Sequence, residues 1–312
     1  MLPHVTIIIT QRDTYALSVT SLENVLRHTP CPVNLIYVDG GSPPKVQNAL
    51  RRLSTHWGFQ LLREDRILAP NEAKCMALPF IKTEFAAFLD NDVLVHPGWL
   101  QALIAAAEET GAGAVAPLYL EKMGPVEKLH MLGGQCRILE GGGHRKIVVS
   151  HDQRKGDPPS TTGGRWRTEH IEMHALLVRN SLLQRLPLFD PQIPSIPENA
   201  DFCLTLLAAG EAIWIEPKAR VTVLLPEVVH KEDIAFYLTR WSDDWIQRGI
   251  NRFIGKWRLQ GAQPVLQSQQ RWAVAHRMVA YPDSLHRRLG IKSDSILNRR
   301  ILAPLERYWW KR

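Results

Sequence analysis

The chain has 312 residues, 45% of them apolar and 22% charged, with a formal net charge of +7. That length can bury a full core in one large domain, with or without an appendage, as an ordinary soluble globular protein does. Cys31, Cys75, Cys136 and Cys203 are too scattered for a disulfide framework or a CxxC zinc site, and are expected as reduced, mostly buried thiols.

The charge is uneven. Residues 231–312 hold 16 Lys and Arg against 7 Asp and Glu, whereas residues 1–230 hold 22 against 24. A near-neutral body thus carries a basic C-terminal section, which reads either as a solvated face or as a surface for anionic lipid, an acidic acceptor or nucleic acid. The apolar opening run at 5–10 has no basic start and is too short for a signal peptide or a spanning helix. A cytoplasmic protein is expected, with the inner membrane face as the place for any peripheral contact.

In chain order, the β-branched run 5–10 predicts a strand, and Leu17, Val19, Leu22, Val25 and Leu26 predict a helix over 15–28. A second buried strand at 34–38 ends at Asp39-Gly40-Gly41, where glycine and proline force a turn. A helix over 45–57, a short strand at 59–63, a helix over 71–80 and a strand at 85–89 follow, the last stopping at Asp90. A helix over 100–109 and a strand at 113–117 lead into residues 121–168, rich in Gly, His, Arg and Lys, which read as loops and hairpins covering the site. Regular structure returns as a strand at 170–179, helices at 181–185 and 201–209, and strands at 213–215 and 221–225. Residues 231–312 carry aromatic and basic residues at helical spacing, broken at Pro264, Pro282 and Pro304. Alternating strands and helices predict an α/β fold, a mixed Rossmann-like sheet flanked by helices with a C-terminal helical extension. The expected division is a domain over 1–230, with halves at about 1–120 and 121–230, and a basic helical extension over 231–312.

Asp90 and Asp92 directly follow a buried strand, so a chain still partly extended turns both acids to one side. Two carboxylates suit Mg2+ or Mn2+, hard ions commonly shared between protein acids and substrate phosphates. Thr10, Asp39 and Asp90 all fall at predicted carboxyl ends of strands, where open α/β sheets bind ligands, so a nucleotide site is the economical reading.

Residues 5–12 (VTIIITQR), 35–42 (LIYVDGGS) and 88–100 (FLDNDVLVHPGWL) resemble, in order and spacing, the three donor-site motifs of glycosyltransferase family 2. Residues 175–180 (ALLVRN), 188–190 (LFD) and 198–210 (ENADFCLTLLAAG) resemble its acceptor-side strand and the acidic motif heading its catalytic helix. The similarity spans about residues 5–225 and implies a GT-A fold, a UDP-, dTDP- or GDP-linked sugar donor, Mn2+ or Mg2+, and a glycan or lipid-linked acceptor. Carried over by position, it implies Thr10 and Arg12 beside base and ribose, Asp39 on a uracil-type base, Asn91 on the donor, Asp90 on ribose or metal, and Asp92 as principal metal ligand. The family's usual catalytic Asp is replaced by Asn199, which leaves Glu198, the favoured base, or Asp201, the residue more suited to the helix N-terminus. A similar Glu-Asn pair occurs in the retaining polypeptide N-acetylgalactosaminyltransferases, so inversion is the expectation and retention the alternative. Many relatives supply a metal-ligating His where Val223 stands here; His230 could substitute, though it reads better as a surface residue.

Glu172 and His174, two apart on a predicted strand, are candidates for the acceptor side, as is Trp166, which could stack on a sugar or anchor a loop. Residues 236–245 resemble a helix packed over the acceptor cleft in some family members, and the aromatic and cationic run 307–312 suits either a membrane interface or a docked tail. Two other readings stand beside sugar transfer. One is a catalytically weakened sugar-nucleotide binder, suggested by Asn199; the other is a nucleotidyltransferase, which lacks its Gly-rich phosphate loop here. No DNA- or RNA-reading motif accompanies the basic charge, so nucleic acid is not an expected partner.

Overall fold

The computed structural model describes residues 5–29, 33–123, 126–152, 164–225, 229–277, 285–291, 295–302 and 304–305. Cys31, Pro282 and the 307–312 run lie outside them.

The apolar runs form the parallel half of the sheet. Strands β1 (Val5–Thr10), β2 (Asn34–Gly40), β3 (Gln60–Glu64) and β4 (Phe85–Asp90) lie in the order β4, β1, β2, β3, all parallel. β1 and β4 are buried along their whole length, as expected of strands covered by helices on both faces. Parallel neighbours require crossovers, supplied by helices α1 (Ser18–His28), α2 (Pro44–Trp57) and α3 (Pro70–Ala77). α2 starts with Pro at its first position and stops at Gly58, whose φ of 73° is the left-handed conformation that glycine adopts without strain.

α1 begins three residues later than its periodicity predicts, because Thr14, Tyr15 and Ala16 are held by the Asp233 carboxylate from the far end of the chain. α3 ends at Ala77 and a 3-10 turn at Leu78–Phe80 completes the stretch read as one helix.

Beyond the short strand β5 (Val93–Val95) and helix α4 (Trp99–Thr110), the second half of the sheet is mixed. Strand β6 (Ala114–Met123) runs well past its expected end and pairs with β7 (Val126–Met131). Strands β8 (Cys136–Gly141) and β9 (His144–Val149) make a separate hairpin turning at Gly142 and Gly143, both at positive φ. The long segment read as loops and hairpins is therefore largely hairpin over its described part. Strands β10 (Trp166–Thr168), β11 (Ala175–Arg179) and β12 (Ile213–Leu224) complete the sheet in the order β10-β12-β6-β11-β4.

β11 starts at Ala175, five residues later than expected: 170–174 leave the ladder, although the His174 carbonyl still accepts from Asp90 N at 2.9 Å. The two strands expected at 213–225 are one strand with a register shift between Glu216 and Arg220. Helix α5 is Asn180–Arg185, and helix α6 is Glu198–Ala208, so Glu198 opens the helix rather than preceding it.

The C-terminal section is helical: α7 (Ile234–Arg240), α8 (Asp243–Trp257), α9 (Pro264–Arg277) and the short α10 (Leu285–Arg288). Ser242 caps α8 by accepting from Trp245 N, and Pro264 opens α9 rather than breaking it. Tyr237, Trp241, Ile246, Ile250, Phe253 and Leu266 join the same buried cluster as β1 and β4. α8 approaches the 193–197 segment closely at Gly249, where an added Cβ would lie 2.6 Å from the Ile196 carbonyl oxygen. Gly249→Ala is expected to destabilise the protein by about 1–3 kcal/mol through this overpacking; an unchanged denaturation midpoint would show that α8 is free to shift. No helix among the described residues is long and apolar enough to cross a membrane.

Candidate active site

The carboxyl ends of β1, β2 and β4 bring the expected donor residues to one edge of the sheet. Thr10 is paired beside Asp90 in the β1–β4 register, and the Thr10 carbonyl accepts from Asn91 N at 3.0 Å. Asn91 is buried inside the turn: its amide donates to the Thr14 carbonyl and to Ser18 Oγ, and its Oδ1 accepts from Arg12 N. Asn91 therefore braces the loops after β1 and β4 against each other. Asp39 is fully buried and its carboxylate is held by Gln11 Nε2 at 2.9 Å, by Ser42 and by Arg63. The Thr10 hydroxyl is buried without a hydrogen-bond partner among the described residues.

The two acids of the D-x-D differ sharply in environment. Asp90 faces His174 Nδ1 at 3.1 Å, Arg12 Nε at 3.5 Å and the buried Lys74 ammonium at 4.0 Å. Burial opposes its ionisation, but these groups hold its pKa below the ordinary carboxylate value. Asp92 has no such escort. Burial, reinforced by the neighbouring Asp90 charge, pushes its pKa up to about 7, and its Oδ1 is buried without a hydrogen-bond partner among the described residues. A buried carboxylate lacking a donor is costly unless a proton or a cation reaches it. Burial lowers the pKa of Lys74, while Arg12 is held firmly charged because Asp13, Asp90, Asp92 and Glu198 outweigh its own desolvation.

The raised pKa has a sign that can be tested. Folded Asp92 binds its proton more tightly than the unfolded residue, so its contribution to stability is present below about pH 4, the unfolded value, and is lost as pH rises through about 7. In chelator, Asp92→Asn is expected to melt several degrees above the wild type at pH 8, with the gap closing as pH falls to about 4. Parallel melting curves for the two proteins across that range would contradict the assignment.

His174 is the residue whose role changes most between sequence and structure. Its Nδ1 faces Asp90 and its Nε2 faces Glu172 Oε2 at 3.0 Å, so it stands between the metal-type acids and a second cluster. Burial and Arg12 work against its protonated form, but Asp90 and Glu172 together raise its pKa. Asp90, Asp92 and His174 offer ligand atoms within 4.8 Å of one another, and so do His130, Glu172 and His174. Glu172 is buried and held well below its ordinary pKa, because His130, His151 and His174 outweigh its desolvation. Trp166 donates from its indole to the Leu132 carbonyl at 3.0 Å and packs on Leu118, Leu120 and Leu129. Val223 pairs with Val93 in the sheet and His230 is exposed.

Glu198 and Asp201, the two acids left by Asn199, are separated in role by the C-terminal helices. Glu198 Oε1 accepts from Arg240 Nη2 at 2.7 Å, while its Oε2 is buried without a hydrogen-bond partner among the described residues. Asp201 has both oxygens engaged by α8, through Lys256 Nζ and Trp257 Nε1 at 2.7 Å each. Arg240 is itself fully buried and also pairs with Asp13 at 3.0 Å. Arg240→Met would leave the Glu198 and Asp13 charges buried without their cation, with an expected loss of about 3–5 kcal/mol; a chemical-denaturation midpoint within error of the wild type would refute this.

Lys74, His130 and Arg240 escaped the sequence reading. Lys74 had one signal: it lies on the same face of α3 as buried Pro70 and Ala77, a cation inside an apolar stripe. His130 and Arg240 had none, since the Glu172 and Glu198 carboxylates they face are each 42 residues away in sequence.

Comparison with known proteins agrees with this arrangement. The family model described as Glycosyl transferase family 2 matches residues 6–159. The pre-mycofactocin glycosyltransferases of Mycobacterium tuberculosis strains CDC 1551 / Oshkosh and ATCC 25618 / H37Rv are each 27% identical over 192 residues, which is 61% of this chain and 37% of theirs. The chain thus spans well under half the length of the curated relatives it matches. The crystal structure of GalNAc-T7 with UDP, GalNAc and Mn2+ superposes with a TM-score of 0.57 at 14% identity, covering 78% of this chain and 50% of that one, a likeness of fold. With strands β1 to β4 inside the matched segment, the part of the chain at residues 6–159 belongs to glycosyl transferase family 2, and the chain adopts a GT-A-type mixed α/β fold.

Proposed function

We propose that this protein transfers a sugar from a nucleotide-linked donor to an acceptor hydroxyl, with Mn2+ or Mg2+ held by Asp92 and Asp90. The observation that carries the reading is the buried, unpartnered Oδ1 of Asp92 beside an Asp90 already neutralised by Lys74, Arg12 and His174. A pair of carboxylates fits a hard divalent ion, and Asp92 is the member with coordination to spare. When bound, such an ion supplies charge neutralisation at the departing nucleoside diphosphate. That GalNAc-T7 was crystallised with UDP and Mn2+ supports a nucleotide-sugar donor here.

The chain's own residues do the rest of the work in this reading. Arg12, fixed by Asn91 and Asp90, adds positive charge at the diphosphate end of the site. Asp39, Gln11 and the Thr10 hydroxyl form the floor on which base and ribose sit. Glu198 is the general base: Arg240 locks one carboxylate oxygen, leaving the other to take the acceptor hydroxyl proton as the acceptor oxygen bonds to the anomeric carbon and the sugar–phosphate bond breaks, with inversion. Asp201 anchors α8 beneath it. The acceptor class is a glycan or a lipid-linked sugar, with the basic C-terminal section as the surface for an anionic membrane.

A panel of UDP-, dTDP- and GDP-sugars tests this by thermal shift with and without Mn2+, followed by nucleoside diphosphate release. One donor should stabilise the protein in a metal-dependent manner and be turned over slowly, with both effects removed by chelator. Absence of any shift at millimolar donor would overturn the reading.

A further inference from the structure

Behind the D-x-D, three histidines converge on one carboxylate. His130 Nε2 lies 2.6 Å and His174 Nε2 3.0 Å from Glu172 Oε2, and His151 Nε2 lies 3.4 Å from Glu172 Oε1. His130 sits on β7, His151 follows β9, and Glu172 and His174 precede β11, so residues from three separate segments are aimed at one point. His130, Glu172 and His174 are buried, and His151 closes the outer side with a quarter of its side chain exposed.

The far nitrogens are arranged as well. His130 Nδ1 faces Glu121 Oε2 at 3.0 Å, and His174 Nδ1 faces Asp90 Oδ2 at 3.1 Å. Ionised carboxylates accept hydrogen bonds and do not donate them. With protons alone, His130 would need an N–H on both nitrogens to serve its two carboxylates, whereas Arg12 Nη1, 3.2 Å from His174 Nδ1, can donate to that ring. A divalent ion among the Nε2 atoms removes that demand. The His130 Nδ1–H then donates to Glu121, the Nε2 lone pairs of His130 and His174 point inward, and Glu172 supplies the anionic ligand. A carboxylate holding the non-ligating N–H is the arrangement by which ligating histidines are oriented.

From this geometry we infer that His130, His174 and Glu172, with His151 on the outer oxygen of Glu172, form a second divalent-metal site of zinc type, separate from the Asp90–Asp92 carboxylates. Two imidazoles and one carboxylate suit zinc and its transition-series neighbours, whereas Mg2+ and Ca2+ take oxygen shells. Ligand atoms of His130, His174 and Glu172 lie within 4.8 Å of one another, the scale of a site in which bonds of about 2.0–2.1 Å set tetrahedral ligands roughly 3.3 Å apart. With His130, His174 and Glu172 buried and His151 covering the outer oxygen of Glu172, the site has a structural role. It ties β7 and the loop after β9 to the segment that positions Asp90 through His174. The inference does not depend on the identity of the donor sugar or on sugar transfer.

The test uses the full chain, stripped with chelator and titrated with Zn2+ and, separately, Co2+, with bound metal measured after gel filtration. The expected result is one tightly held zinc per chain and the strong visible d–d absorption of a four-coordinate Co2+ centre, both kept in Asp92→Ala and both lost in His130→Gln. Glu121→Gln, which leaves every ligand in place, should weaken zinc binding about 10–100-fold, and circular dichroism identifies any variant that fails to fold. Wild type that retains no zinc overturns the inference. So does binding that survives in folded His130→Gln but disappears in Asp92→Ala, which would place the ion on the D-x-D carboxylates alone.

Discussion

Asp92→Ala is expected to abolish metal-dependent donor binding while leaving the fold intact. The wild-type side chain brings a buried oxygen with no hydrogen-bond partner among the described residues and a carboxyl pKa pushed up to about 7 by burial and by Asp90, so its removal relieves an unfavourable burial rather than breaking a network. Asp90 differs in that its removal would strip Lys74, Arg12 and His174 of their shared anion. Turnover should fall by at least about 10²–10³-fold, the scale for losing one preorganised electrostatic contact to the leaving group. The nucleotide-sugar thermal shift should vanish and the chelator-treated melting temperature should stay the same or rise. A variant that still shows an Mn2+-dependent donor shift would move the principal ligand elsewhere.

Glu198→Gln carries the second large effect. The amide keeps an oxygen for Arg240 but cannot accept the acceptor proton, so turnover should drop about 10²–10⁴-fold while the metal-dependent donor shift persists. Asp201→Asn is the informative control. Its carboxylate is consumed by Lys256 and Trp257, so the variant should lose stability through the α8 anchor and keep most of its turnover per folded molecule. The opposite pattern, with Asp201→Asn inactive at full stability and Glu198→Gln active, would assign the base to Asp201 and leave Glu198 as the partner of Arg240.

Much of the parallel half of the sheet could be read from the sequence. Strands β1, β2 and β4 are continuous apolar runs ending in Thr10, Asp39 and Asp90, and burial on both faces imposes that pattern locally, without reference to the rest of the chain. Crossover helices follow from the same logic, since parallel strands need them. Errors gathered where distant side chains capture backbone. Asp233 delays α1 through contacts 217 to 219 residues apart in sequence, and α6 begins at Glu198. Segment 170–174 lies off the β11 ladder, with its His and Glu side chains engaged in the buried cluster.

The division for this protein is therefore a physical one. Sequence by itself determined which strands are buried, where they end, and that paired acids stand at one of those ends, because hydrophobic periodicity and strand-terminal chemistry are local properties. Tertiary structure alone decided what each acid can do. Asp90 is neutralised by Lys74, Arg12 and His174, Asp92 is left exposed to its own desolvation, Glu198 is locked at one oxygen by Arg240, and Asp201 is consumed by α8. The identity of a carboxylate is written at its position, but its charge, its free lone pairs and its partners depend on groups that folding brings from elsewhere in the chain.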